Sequence, residues 1–212
     1  MLAELGRIGF VEICVTPHQR NGLFIPTAAA IAAALDQLRG ESTRIEPRPR
    51  LLLGAENYWD DVFVERLRQH AVPCYEGQRA FLFEVNPVLP PPNLGEALFE
   101  IRLRGTLPVM AHPERCLSVQ REAGFAEALA KQAALLVDLG ALAGGHGRAE
   151  TKAARRLVEA GVAAAVTSDL HGPEESPDVL GGIAWIERRL GAAGVARLLA
   201  ENPRRILGGE LP

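Results

Sequence analysis

LPVMAHPERC, residues 107–116, is an apolar run of strand length that stops at a histidine and then carries a glutamate and an arginine. Such a run buries both faces of a strand and delivers its polar cluster at the C-terminal end. The pattern repeats along the chain. FVEICV (10–15) runs toward His18, LLLGA (51–55) into Glu56, AFLFEV (80–85) carries Glu84 near its end, and AAAVTS (163–168) leads to Asp169 and His171. ALLVDL (134–139) is the sixth run. Helical periodicity covers 26–38, 60–69, 93–104, 121–132 and 148–160 between these runs, then 175–190 and 192–200 after the last. Buried strands alternating with amphipathic helices predict a parallel α/β sheet, either doubly wound or a (β/α) barrel.

The 212 residues suit one domain, with no linker or internal repeat to divide them. VLPPPN (88–93) reads as a loop entering a helix rather than a hinge, because proline is tolerated at a helix start. A hydrophobic fraction of 48% and a charged fraction of 23% indicate a folded core, and a net charge of −3 offers no cationic field for nucleic acid. ESTRIEPRPR (41–50) has its arginines interrupted by proline and glutamate and reads as a solvated loop. Three scattered cysteines give neither a disulfide framework nor a zinc knuckle, which fits a reducing cytoplasm. MLAELGRIGF has charges inside its apolar stretch and predicts neither a signal peptide nor a membrane span. Leu2 to Leu5 followed by Gly6 read as the last turn of a helix with its glycine stop.

In parallel α/β folds the C-terminal strand ends converge on one crevice, so His18, Glu56, Glu84, His112, Asp169 and His171 are candidates for one metal cluster. Asp169 and His171, two apart, project to one side if their segment is extended. A His, Asp and Glu donor set without sulfur suits Mn, Fe or Zn in a catalytic site. His70 and His146 lack a strand-end position and read as surface residues. Arg115 and Arg20, each beside a candidate ligand, could clamp phosphate oxygens as guanidinium forks. Cys14 and Arg20 also match the C-x5-R spacing of thiol-dependent phosphatases. That chemistry needs successive loop N–H groups around the phosphate, whereas Pro17 has none and the loop has no glycine, so Cys14 reads as a small buried hydrophobe.

TPHQRNGLF (16–24), LGAENYWDD (53–61), FLFEVNP (81–87), PVMAHPERC (108–116), SDLHG (168–172) and ENPRRILGG (201–209) together resemble the PHP (polymerase and histidinol phosphatase) superfamily. Within it they are similar to the manganese-dependent protein-tyrosine phosphatases of bacterial capsule and exopolysaccharide loci, of the CpsB and YwqE type. The resemblance implies a distorted (β/α) barrel of parallel strands with a cluster of two or three Mn ions. It places ligand roles on His18, Glu56, Glu84, His112, Asp169 and His171, and a substrate-phosphate contact on Arg115. It further implies a phosphotyrosine protein as substrate and a bacterial tyrosine kinase as partner.

Relatives begin with a D-x-H-x-H strand that supplies two histidines to the first metal. The present sequence contains no such motif, and Gln19 stands where many members have a second histidine. With the helix-like opening, this leads us to expect a barrel lacking its first strand, fewer bound ions and weak activity. A truncated start or a degenerate relative would each account for it. The expected reaction is hydrolysis of a phosphomonoester by in-line attack of water activated at the metal cluster. Hydrolysis of a small metabolite such as histidinol phosphate, and noncatalytic binding of phosphotyrosine tails, are the alternatives.

Overall fold

A computed structural model of the chain describes residues 1–122 and 124–212. After helix α1 (Leu2–Ile8), strand β1 (Glu12–Val15) and the short β2 (His18–Gln19) are separated only by Thr16 and Pro17. Helix α2 (Ala28–Ser42) follows, then β3 (Arg50–Leu53) and β4 (Glu56–Tyr58), separated by Gly54 and Ala55. β1 pairs in parallel with β3, Glu12 opposite Arg50, and β2 with β4, His18 opposite Glu56. The offset between partners is the same in both pairs. Bonds from Gly54 N–H to the Val15 carbonyl (2.8 Å) and from Glu56 N–H to the Pro17 carbonyl (3.1 Å) bridge the interruption. These four pieces therefore act as two strands with a local break, and the six expected strands are all present.

Helix α3 (Asp61–Arg68) starts on Asp60, whose carboxylate caps the Phe63 N–H, and leads to β5 (Ala80–Glu84). Helix α4 (Leu94–Leu103) follows the proline loop and precedes β6 (Leu107–Ala111). Of the helix expected over 121–132 only α6 (Phe125–Ala130) forms, starting after Gly124 with its left-handed φ of 85°, and a separate short helix, α5 (Leu117–Arg121), precedes it. Next come β7 (Ala134–Asp138), α7 (Leu139–Ala143), α8 (Arg148–Glu159), β8 (Ala165–Thr167), α9 (Ser176–Ala196) and, after a π turn, α10 (Asn202–Leu207). Helix α9 breaks at Gly191, the position that separated the two expected helices. Helix α1 runs through Gly6 and stops at Gly9 (φ 113°), one turn later than the sequence suggested.

The strand order β2-β4-β5-β6-β7-β8 follows the chain without reversal. A doubly wound sheet reverses at a switch point, so this order belongs to the barrel alternative. Register divides the strand residues into two faces. Phe81, Phe83, Met110, Leu135, Val137 and Val166 pack outward under helix residues such as Leu98, Val119, Leu157 and Ile186. Ala80, Leu82, Val109, Ala111, Ala134 and Ala165 form a smaller inner core that Ile206 of α10 covers. Small side chains inside and large ones outside let the sheet curl around its inner face. Among the described residues no backbone pairing joins β8 to β1, and a groove lined by Phe10 and Cys14 on one side and by Val195 and Leu199 on the other separates β1 from the C-terminal helices.

Helix α9 lies so close to α7 that a Cβ at Gly182 would stand 2.3 Å from the Leu139 carbonyl oxygen. Gly182→Ala is therefore expected to destabilise the protein by about 1–3 kcal/mol through overpacking. Gly40→Ala, on the exposed side of α2 where a Cβ meets nothing within 4 Å, should stabilise it by about 0.5–1 kcal/mol. Urea unfolding of the two variants measures these opposite signs.

Candidate metal and phosphate site

Every strand of the six brings a charged or imidazole side chain to its C-terminal end. His18 lies on β2, Glu56 on β4, Glu84 closes β5, His112 follows β6, Asp138 closes β7, and Asp169 and His171 follow β8. Glu84 and Asp138 share strand parity with Leu82 and Leu136, so the inner core continues upward into the site. Asp138 was absent from the sequence-based set, although the strand-end rule that singled out the others applies equally to ALLVDL.

Glu56 is the centre of the cluster. It is 4% exposed, and its two oxygens are divided between His18 Nδ1 (2.9 Å) and His112 Nε2 (2.9 Å). Burial opposes its charge. The hydrogen bond and charge of His112, with the charges of His18 and Arg115, outweigh that penalty and hold its carboxyl below the usual glutamate range. Burial likewise works against the His112 cation, but its bond to Glu56 raises the imidazole above its ordinary value. Glu84, whose Oε2 is 3.8 Å from His112 Nε2, is pushed up by burial and by the neighbouring Glu56 charge.

His171 Nδ1 must donate to the Asp169 carbonyl (2.8 Å), and His18 Nδ1 donates to the ionised Glu56. Each ring when neutral therefore offers a lone pair on Nε2, and these two nitrogens face each other at 3.4 Å. Two nitrogens at that separation can share a proton or be bridged by a metal ion. Two nitrogens bound at about 2.1 Å with a tetrahedral angle stand about 3.4 Å apart. His18, Glu56 and Glu84 also offer ligand atoms within 4.8 Å of one another. This sulfur-free donor set, with its two carboxylates pressed together, fits a divalent transition-metal ion.

The structure thus brings His18, Glu56, Glu84, His112 and His171 together. Asp169 turns elsewhere: its Oδ2 accepts from Arg115 Nη2 at 2.6 Å. The extended D-x-H geometry is not adopted, because Asp169 has a φ of 42°. His112 is also left-handed, with a φ of 34°. Two such non-glycine residues in one site are backbone strain held by the surrounding fold.

A cleft of about 470 Å³ opens beside the cluster, lined by Arg20, Tyr58, Glu84, His112 and Arg115 among others. The Arg20 guanidinium lies over the Tyr58 ring, 4.0 Å from its centroid. Cys14 lines the separate apolar groove, and burial, with the charge of Glu12, pushes its thiol up to about 12. Cys14 and Arg20 do not share a pocket, so the C-x5-R spacing is coincidental. His70 is exposed, as expected. His146 is not a bare surface residue, because its Nε2 stands 2.6 Å from Asp138 Oδ2. ESTRIEPRPR keeps Arg44, Arg48 and Arg50 exposed, with Arg50 paired to Glu12.

Glu114, fully buried between His112 and Arg115 in the chain, takes the Asp138 N–H on one oxygen and, among the described residues, has no partner on the other. Burial pushes its carboxyl up to about 8. The folded chain keeps a proton there that the unfolded chain releases near 4.5, so this group costs stability progressively as pH rises from about 4.5 to about 8. Glu114→Gln should remove that slope: thermal melts at increasing pH are expected to show the variant gaining steadily on the wild type across this window.

Comparison with known proteins identifies the family. The family described as capsular polysaccharide synthesis, CpsB/CapC, matches residues 1–208. The chain is 25% identical over 225 residues to the tyrosine-protein phosphatase CpsB of Streptococcus pneumoniae, covering 100% of this chain and 90% of that relative. It is 31% identical over 167 residues to the tyrosine-protein phosphatase YwqE of Bacillus subtilis, covering 78% of this chain and 65% of the relative. Among solved structures it matches one from a crystallographic study of YwqE from Bacillus subtilis and CpsB from Streptococcus pneumoniae, which names them unique metal-dependent tyrosine phosphatases. The TM-score is 0.86 at 25% identity, over 99% of this chain and 85% of that one.

Proposed function

Because the chain belongs to the capsular polysaccharide synthesis family CpsB/CapC, we propose that it is a metal-dependent protein-tyrosine phosphatase acting in capsule or exopolysaccharide regulation. The observation that carries this reading is the buried Glu56 held between His18 and His112, next to a cleft with two guanidinium groups. We read residues 1–212 as one phosphatase domain. His18, Glu56, Glu84, His112, Asp169 and His171 are the proposed metal ligands, with Mn the preferred ion and Fe or Zn compatible with the same donors. A bound divalent cation supplies Lewis acidity, lowering the pKa of water and offsetting phosphate charge.

The chain's own side chains do the rest. Arg115 presents its fork to the cleft and can grip two oxygens of a phosphomonoester, stabilising charge that grows on them during transfer. Arg20, lying over the Tyr58 ring, adds a second cation at the cleft wall. Val85, Pro87, Val88 and Met110 give the same cleft an apolar side against which an aromatic ring can lie. A phosphotyrosine protein, such as a bacterial tyrosine kinase, is the proposed partner. No helix among the described residues is long and apolar enough to cross a membrane, and a cytoplasmic location is part of this proposal.

Hydrolysis of a phosphotyrosine peptide should require added Mn and be abolished by EDTA, while Cys14→Ser leaves it unchanged. Full activity in EDTA with loss in Cys14→Ser would point to a thiol mechanism and refute the reading. Arg115→Ala is expected to lower kcat/KM about 10²–10³-fold. Faster turnover of histidinol phosphate than of the peptide would reassign the substrate. Phosphopeptide binding without turnover in Mn would make the chain a binding protein instead.

A further inference from the structure

Arg115 is a long, flexible side chain, and fixing such a side chain in one direction costs rotamer entropy unless the fold holds it in place beforehand. Two carboxylates hold it here. Both bind Nη2: Asp169 at 2.6 Å and Asp138 at 3.2 Å. Among the described residues, Nε and Nη1 of Arg115 have no protein partner, and the side chain lines the cleft. The two carboxylates differ in what else they have to do. Asp169 belongs to the proposed metal ligands, whereas Asp138 does not.

Asp138 has a site of its own. Its side chain is 2% exposed, at the inner-face end of β7. Oδ1 accepts the Gly140 N–H at 2.8 Å, which also caps the start of α7. Oδ2 is shared by Arg115 and His146 Nε2, the latter at 2.6 Å. The backbone N–H of Asp138 is fixed by buried Glu114. Room for the imidazole comes from Gly140, where a Cβ would stand 3.0 Å from His146 Nε2 and 3.3 Å from Asp138 Oδ1. A buried carboxylate with both oxygens occupied has little freedom, and leaving it unpaired would be costly.

We propose that Asp138, braced by His146, is a positioning residue that aims Arg115 into the cleft for a phosphate group. Asp138 need not touch the substrate. It acts through the guanidinium, leaving Asp169 free for other duties, and it gives β7 a role at the strand-end crevice. The inference rests on the reading of the cleft as a phosphate-ester site.

The test is a double-mutant cycle on the full Mn-loaded chain, following inorganic phosphate binding by calorimetry, KM and kcat on a phosphotyrosine peptide, bound Mn and thermal stability. Asp138→Asn should weaken phosphate binding and raise KM about tenfold with bound Mn unchanged. In an Arg115→Ala background the same change should add nothing. Asp138→Glu, which keeps the charge, should recover part of the loss. His146→Gln, at a half-exposed position, should produce a smaller loss that also vanishes without Arg115. Equal effects with and without Arg115, loss of Mn in Asp138→Asn, or a change in stability alone would overturn the proposal. If the wild type neither binds phosphate nor hydrolyses the peptide, the cleft reading fails and this inference falls with it. A competent wild type with no coupling refutes Asp138 alone.

Discussion

A carboxylate buried at the mouth of an apolar core is stable only where cations meet it, and Glu56 sets that condition for the whole site. Its backbone position follows from the parallel pairing of β4 with β2 and β5, which puts His18 beside it and Glu84 one strand over. Its charge then requires His18 and His112 to turn their nitrogens inward. His112 reaches it only with a left-handed backbone after β6. The penalty of that conformation is small beside the several kcal/mol of effective cost for an ion left unpaired in the interior. The strain at His112 is thus a consequence of where Glu56 is buried.

A second ionic layer lies toward β7 and β8. There Arg115 is the cation, and Asp138 and Asp169 are the anions. The two layers meet at the HPER segment: His112 points to Glu56 and Arg115, three residues on, to Asp138 and Asp169. The short 3₁₀ turn Pro113–Arg115 separates the two directions, and Glu114 between them faces the interior. One tight turn therefore serves both halves of the site, which accounts for the density of functional groups in that short stretch.

The curl of the sheet links fold and chemistry. Inner-face alanines on β5, β6, β7 and β8 leave little volume between strands, while phenylalanines and leucines outside fill the space under the helices. The resulting curvature carries β8 round toward β2, far enough that His171 and His18 meet although they are 153 residues apart. A flat sheet of the same strand order would hold those two rings at opposite edges.

The alternation of apolar strand runs with helical periods was legible because burial on both faces demands continuous apolar residues, and the helix break at Gly191 was legible from the same local pattern. The candidate ligands were legible because polar residues stop those runs abruptly. Local pattern could not show that β1 and β2 keep one register across Pro17, since that register is written in hydrogen bonds to a segment 38 residues away. It also did not separate α7 from the end of ALLVDL, because LGALA is as apolar as a strand. Which candidate ligands come together, Asp169 turning to Arg115, and His146 reaching Asp138 were decided only by tertiary structure. Composition and period act within a few residues along the chain, whereas the direction of a charged side chain is set by the nearest opposite charge in space.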